Sequence, residues 1–246
     1  TYAFQRKYYW LPSAPQDFVA SGKTGCVFER VLNSARHSYL KRHRVGSAVV
    51  VSSTMIMDLI ASVAQESGMG MNVSIADLRF EKPLKMQAKE ACLIRTELRP
   101  GRRGLRDVLV WAQDSRGEFQ VHCRAYLEEG REKPSHPALE ELQKRCGNEL
   151  EVATLIDGVC ARGYSLACFA HLARAWEGEG EILLNFRLPD SVDSGRGWAG
   201  LREVHDGIPL TGGALLDNWD EGFFMPTSFG HCSFWQEPES GVRFHG

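Results

Sequence analysis

The hydrophobic positions of this chain fall into two series of elements separated by a polar stretch. In the first series, Val45 to Val51 is a short β-branched segment that predicts a strand. Ser52-Ser53-Thr54 then offers side-chain oxygens of the kind that cap a helix. Met55, Ile56, Leu59, Ile60 and Val63 follow at helical spacing, and Gly68 and Gly70 end the pattern. Three more segments have strand character: Ala91–Leu98, Leu105–Ala112 and Glu118–Leu127. The turn residues Pro100-Gly101 and Ser115-Arg116-Gly117 between them predict an antiparallel meander. One helix wrapped by an antiparallel sheet fits this order.

Residues 129–150 are rich in charge and include Pro134 and Pro137, a linker composition with room for a short helix over 137–146. The second series opens with a helix over 151–162. A strand over 181–188 follows and stops at Pro189, and a loop rich in Gly and Ser covers 190–200. A helix is expected from Thr211 to Phe224, closing before Pro226, and a last strand from Ser228 to Trp235. The two series resemble each other in element order, without a detectable sequence repeat.

Composition narrows the function classes. The 246 residues carry a formal net charge of −2, so no basic excess points to nucleic acid. The basic runs Lys41-Arg42-His43-Arg44 and Arg102-Arg103 read, taken alone, as solvated turns. Seven cysteines, an odd number with no Cys-x-x-Cys pair, predict a reduced cytoplasmic protein without structural zinc. No apolar run reaches membrane-spanning length. The sequence opens without Met and reads as a piece of a longer chain.

Four stretches carry a family resemblance. Tyr2-Ala3-Phe4-Gln5-Arg6-Lys7-Tyr8-Tyr9-Trp10-Leu11 is similar to the segment that closes the linker after an acyltransferase domain in modular polyketide synthases. His43-Arg44-Val45-Gly46-Ser47-Ala48-Val49-Val50-Val51-Ser52 resembles the histidine motif HxxxGxxxxP of their dehydratase domains. Gly163-Tyr164-Ser165-Leu166-Ala167-Cys168-Phe169 resembles GYxxGPxF, and Leu215-Leu216-Asp217-Asn218-Trp219-Asp220-Glu221 resembles LLDxxxQ/H. The resemblance implies an α+β double hot dog fold, each half wrapping a sheet around a helix, with the active site between the halves. It divides the chain into a linker remnant (1–12), an N-terminal hot dog (13–130), a linker (131–150) and a C-terminal hot dog (151–246) that stops a few strands short. The departures are Ser47 for Gly, Ser52 for Pro, Ala167-Cys168 for Gly-Pro, and Glu221 for Gln or His.

The implied reaction is loss of water from a 3-hydroxyacyl thioester on an acyl carrier protein. A base must take the C2 proton and an acid must protonate the departing hydroxyl. The resemblance assigns His43 as base and Asp217 as acid. An imidazole suits the first role at neutral pH, and a carboxyl suits the second only if its pKa is lifted. Glu221, four residues beyond Asp217 on one helix face, is expected to keep Asp217 protonated by like charge or to accept the substrate hydroxyl's hydrogen bond, with a water-facing carboxylate as the alternative. Ser52 and Ser53 stand at a helix start whose N–H groups could polarise the thioester carbonyl. Tyr164 is expected to line the acyl tunnel, to donate to the carbonyl, or to serve as a core tyrosine. Gly46 and Ser47 are expected to let strand and substrate approach closely, with Ser47 a problem wherever positive φ is required. No cofactor or metal is called for. The implied partners are an acyl carrier protein, neighbouring synthase domains and a second copy of the chain, with neither nucleic acid nor membrane. Other reactions of the same fold, isomerisation, cyclisation or thioester hydrolysis, stand as alternatives, as does a structural domain without catalysis.

Overall fold

The computed structural model describes residues 18–19, 25–33, 38–69, 72–86, 91–129, 137–187, 204, 206–207, 225–234 and 242–245. Along the first part run β1 (Phe18–Val19), β2 (Cys26–Asn33), α1 (Ser38–Arg42), β3 (Arg44–Val45), β4 (Ala48–Val50), α2 (Ser53–Glu66), β5 (Val73–Phe80), β6 (Lys85–Met86), β7 (Ala91–Pro100), β8 (Arg106–Gln113) and β9 (Phe119–Glu129). The second part holds α3 (Leu139–Arg145), β10 (Asn148–Leu150), α4 (Val152–Ala161), β11 (Tyr164–Ser165), β12 (Leu172–Gly178), β13 (Glu181–Phe186), β14 (Ser228–Phe234) and β15 (Val242–His245).

A seven-stranded sheet in the order β1-β2-β7-β8-β9-β5-β14 makes the larger layer, and every strand pair in it is antiparallel. Alternation sets its faces. Cys123, Ala125 and Leu127 of β9 point inward while Arg124 and Tyr126 between them are exposed. Helix α2 packs against this sheet at β5 and β7 and shares its core. Met55, Ile56, Met57, Leu59, Ile60, Ala61, Val63 and Ala64 are all buried, so nearly its whole circumference is covered. A helix apolar around its circumference is stable only when enclosed, and here it shares one core with the inward residues of the large sheet. Each fully buried Leu or Ile there contributes roughly 1.5–3 kcal/mol.

The second layer is a four-stranded sheet, β10-β12-β13-β15, over a core that includes Val159, Tyr164, Cys168, Leu184, Phe186 and Val204. Its parts are not separate from the first. Strand β14, late in the chain, pairs with β5 from Phe234↔Val73 to Ser228↔Arg79, extending the large sheet. Between β5 and β9 the register shifts at Ala76/Arg79, and there Asp77 adopts φ 47°. Asp tolerates the left-handed region better than most residues, which suits it to such a bulge.

The expected strand over Val45–Val51 is corrected to a hairpin. Arg44–Val45 and Ala48–Val50 pair across Gly46-Ser47. Gly46 takes φ 60°, and Ser47 needs no positive φ, so a serine fits where the family pattern has glycine. The hairpin is tied to the second half. Gly163 ends α4 at φ 83°, its N–H bonded to the Cys160 carbonyl at 2.8 Å. Its own carbonyl accepts the Gly46 N–H at 2.8 Å, and Tyr164 and Ser165 then pair with Val45 and Arg44. The expected helix over 211–224 and the linker remnant over 1–12 lie outside the described residues.

Candidate active site

His43 sits on the short link between α1 and β3, and neighbouring backbone fixes it on both sides. Its N–H donates to the Leu40 carbonyl at 3.3 Å, and its carbonyl accepts from Val50 at 3.2 Å. The ring therefore projects from a turn held by α1, β4 and, through β3, by β11. It is the basic-run histidine turned inward: Lys41, Arg42 and Arg44 are exposed while His43 is buried.

The ring meets a carboxylate from the far half of the chain. His43 Nδ1 lies 2.8 Å from Asp206 Oδ2, with Asp206 completely buried and the His43 side chain 10% exposed. The other carboxylate oxygen is also engaged, because Thr54 Oγ1 donates to Asp206 Oδ1 at 2.6 Å. Ser52 Oγ stands 3.0 Å from Thr54 Oγ1 and accepts the Met55 N–H at 3.2 Å as the cap of α2. Three residues of the first half, His43, Thr54 and, behind it, Ser52, thus close around a single carboxylate from the second.

Their electrostatics reinforce one another. Burial disfavours the imidazolium of His43, but the Asp206 charge and hydrogen bond outweigh it and hold the pKa above 6.5. Burial likewise pushes Asp206 up, yet His43 and the hydroxyls of Thr54 and Ser52 bring it below its ordinary 3.8. The pair therefore rests as imidazolium and carboxylate at mildly acidic pH. Raising the pH frees the base while Asp206 stays ionised. Burial, then the Asp206 charge, drives the Cys168 thiol well above 9.0, so it stays protonated and is no nucleophile.

Of the expected site residues, the structure brings His43 and Ser52 to this cluster, Ser52 through Thr54. Ser53 opens α2 half-buried, one residue from the Thr54 contact. Ser47 is exposed in the hairpin turn, where its carbonyl accepts from Arg44. Tyr164 packs in the second core against residues such as Cys168 and Phe186. Asp217 and Glu221 lie outside the described residues. Among the described residues, the carboxylate at His43 is Asp206, which the sequence reading passed over. The string Leu215-Leu216-Asp217 matched the motif by letters. The available signal for Asp206 was weaker: a lone acid opening the mostly apolar stretch Gly207-Ile208-Pro209-Leu210. The part played by Thr54 was also missed, because a helix-start hydroxyl reads first as a cap. Among the described residues no cluster of three or more His, Cys, Asp or Glu could hold a metal ion.

The family model described as polyketide synthase dehydratase domain matches residues 16–113. Polyketide synthase GfsE of Streptomyces halstedii is 27% identical over an alignment of 214 residues that covers 76% of this chain and 6% of that protein. The chain thus spans a small fraction of the curated relative it matches. Among solved structures, the dehydratase domain from the CurF module of curacin polyketide synthase superposes with TM-score 0.81 at 16% identity, covering 92% of this chain and 84% of that one. Two inactive variants of the CurK dehydratase, one with a His changed to Phe and one with an Asp changed to Asn, each superpose at 0.77 with 15% identity. They cover 92% of this chain and 82% and 83% of theirs. Residues 16–113 are thus similar in sequence to the polyketide synthase dehydratase domain, and the fold is the double hot dog of the solved dehydratase domains.

Proposed function

We propose that this chain removes water from a 3-hydroxyacyl thioester carried on the phosphopantetheine arm of an acyl carrier protein, giving the 2,3-enoyl thioester. The observation that carries the reading is the buried contact of His43 with Asp206 across the two halves. A histidine and an aspartate are also the residues changed in the inactive CurK variants, which supports giving this pair the chemistry.

The geometry favours a particular division of labour. Asp206 holds Nδ1 and is wholly enclosed, so the proton-transfer face of the pair is Nε2 of His43. With Nδ1–H donated to Asp206, neutral His43 takes the C2 proton at Nε2. The Asp206 carboxylate stabilises the imidazolium that results. The same Nε2–H then protonates the departing 3-hydroxyl. The C2–H and C3–O bonds break, the C2=C3 bond forms, and water leaves with the proton first taken from C2. The first-turn N–H groups of Ser53 and Thr54, unneeded within α2, suit the enolate oxygen. This scheme gives Asp206 the place expected of Asp217, as a charge-holding partner rather than a protonated acid.

A second reading, double-bond isomerisation, draws on the same observation. It needs one proton carrier moving between two carbons, and the enclosure of Asp206 leaves His43 as that carrier. Product mass separates the two. The chain with a 3-hydroxyacyl-N-acetylcysteamine thioester is expected to yield a product lighter by one water, and His43→Ala to abolish it. Retention of turnover in His43→Ala would overturn the assignment, and a product of unchanged mass from an enoyl substrate would favour isomerisation.

A further inference from the structure

Around Asp206 the hydrogen bonds can be assigned a direction. The Met55 N–H is a fixed donor and spends its proton on Ser52 Oγ. Ser52 therefore has its own hydroxyl proton to give, and the acceptor at 3.0 Å is Thr54 Oγ1. Thr54, having accepted, donates to Asp206 Oδ1 at 2.6 Å. An ionised carboxylate can only accept, so each link points the same way. The chain runs from the first turn of α2 to the carboxylate, all four residues are buried, and polarisation along it strengthens the last bond. Asp206 is thereby held with Oδ1 toward Thr54 and Oδ2 toward His43.

The geometry points to Thr54 as a positioning residue that, backed by Ser52 and the first turn of α2, locks the orientation and charge of Asp206 and so sets the basicity of His43. This rests on reading His43 as the proton-transfer group. It gives the serine at position 52 a purpose that a proline, with no hydroxyl, could not serve. Among the described residues, the titratable groups facing Asp206 are His43, from the link before β3, and Cys168, on the turn before β12. The thiol stays neutral, so of these two groups the histidine reports the change.

The test compares Thr54→Val, which keeps the shape and loses the donor, with Thr54→Ser, which keeps the donor. Two readouts apply: the pH profile of kcat/KM with a 3-hydroxyacyl-N-acetylcysteamine thioester, and the titration of the 15N-labelled His43 ring by NMR. Without the hydroxyl, carboxylate charge concentrates on Oδ2 and holds the imidazolium proton more tightly. Thr54→Val is expected to lose about tenfold or more in kcat/KM at pH 7, since a hydrogen bond to a charged group is at stake. Its acid limb and the ring titration should both move to higher pH, and Thr54→Ser should recover most of the loss. An unchanged ring titration in Thr54→Val would overturn the proposal, as would equal losses in the two variants. The ring titration needs no turnover, so it decides the role of Thr54 even if His43→Ala retains activity and the dehydratase reading falls.

Discussion

At the scale of single residues, the site turns on a proton shared between an imidazole and a carboxylate that are both out of water. His43, with its pKa raised, adds stability that is complete below 6.5 and lost as pH rises through the raised value. Asp206, with its pKa lowered, adds stability present above 3.8 and lost as pH falls through the lowered value. The pair therefore stabilises the fold most between those limits. Asp206→Ala leaves burial alone acting on His43, which lowers its pKa, so the dependence should reverse, with stability rising as pH rises, and at mildly acidic pH the change should cost about 3 kcal/mol or more, because there it strands a buried cation. Urea unfolding at a series of pH values checks both, and an Asp206→Ala profile parallel to that of the parent would contradict the assignment. His43 was legible because a motif framed it. Asp206 was not, because what selects it is a distance across 163 positions of sequence, and no local pattern encodes that.

Among the elements, α2 and the hairpin before it matter most. The helix was legible from the spacing of Met55 through Val63, and the meander β7-β8-β9 from its alternation and turns. Strands β2, β5 and β12 went unread: Val73-Ser74-Ile75-Ala76-Asp77-Leu78-Arg79-Phe80 breaks its alternation at the Asp77 bulge. The β3–β4 turn was hidden for a similar reason, since Gly46-Ser47 interrupts a β-branched run too briefly to register as a break. Ser52→Ala removes the cap of α2 and should cost about 1 kcal/mol, read as a lower urea midpoint at unchanged slope. Gly46→Ala forces an alanine to φ 60° beside the Gly163 contact. It is expected to lower both the melting temperature and turnover, whereas Ser47→Ala, at an exposed position, should change neither measurably.

Across the whole molecule, strand pairs join what the sequence divides at its charged middle. Strand β14 continues the first sheet through β5, and β11 continues the hairpin sheet through β3. The two halves should therefore melt together in one calorimetric transition, and two separated transitions would contradict that coupling. The late arrival of β14 at β5 also bears on how the molecule assembles. Local pieces such as the β7-β8-β9 meander need only short loops to close, while the β14–β5 seam and the His43–Asp206 contact must wait for chain ends roughly 150 residues apart to find each other. On dilution from denaturant, the far-ultraviolet ellipticity should return before any catalytic competence does, leaving an interval in which the chain has most of its backbone order but no working centre.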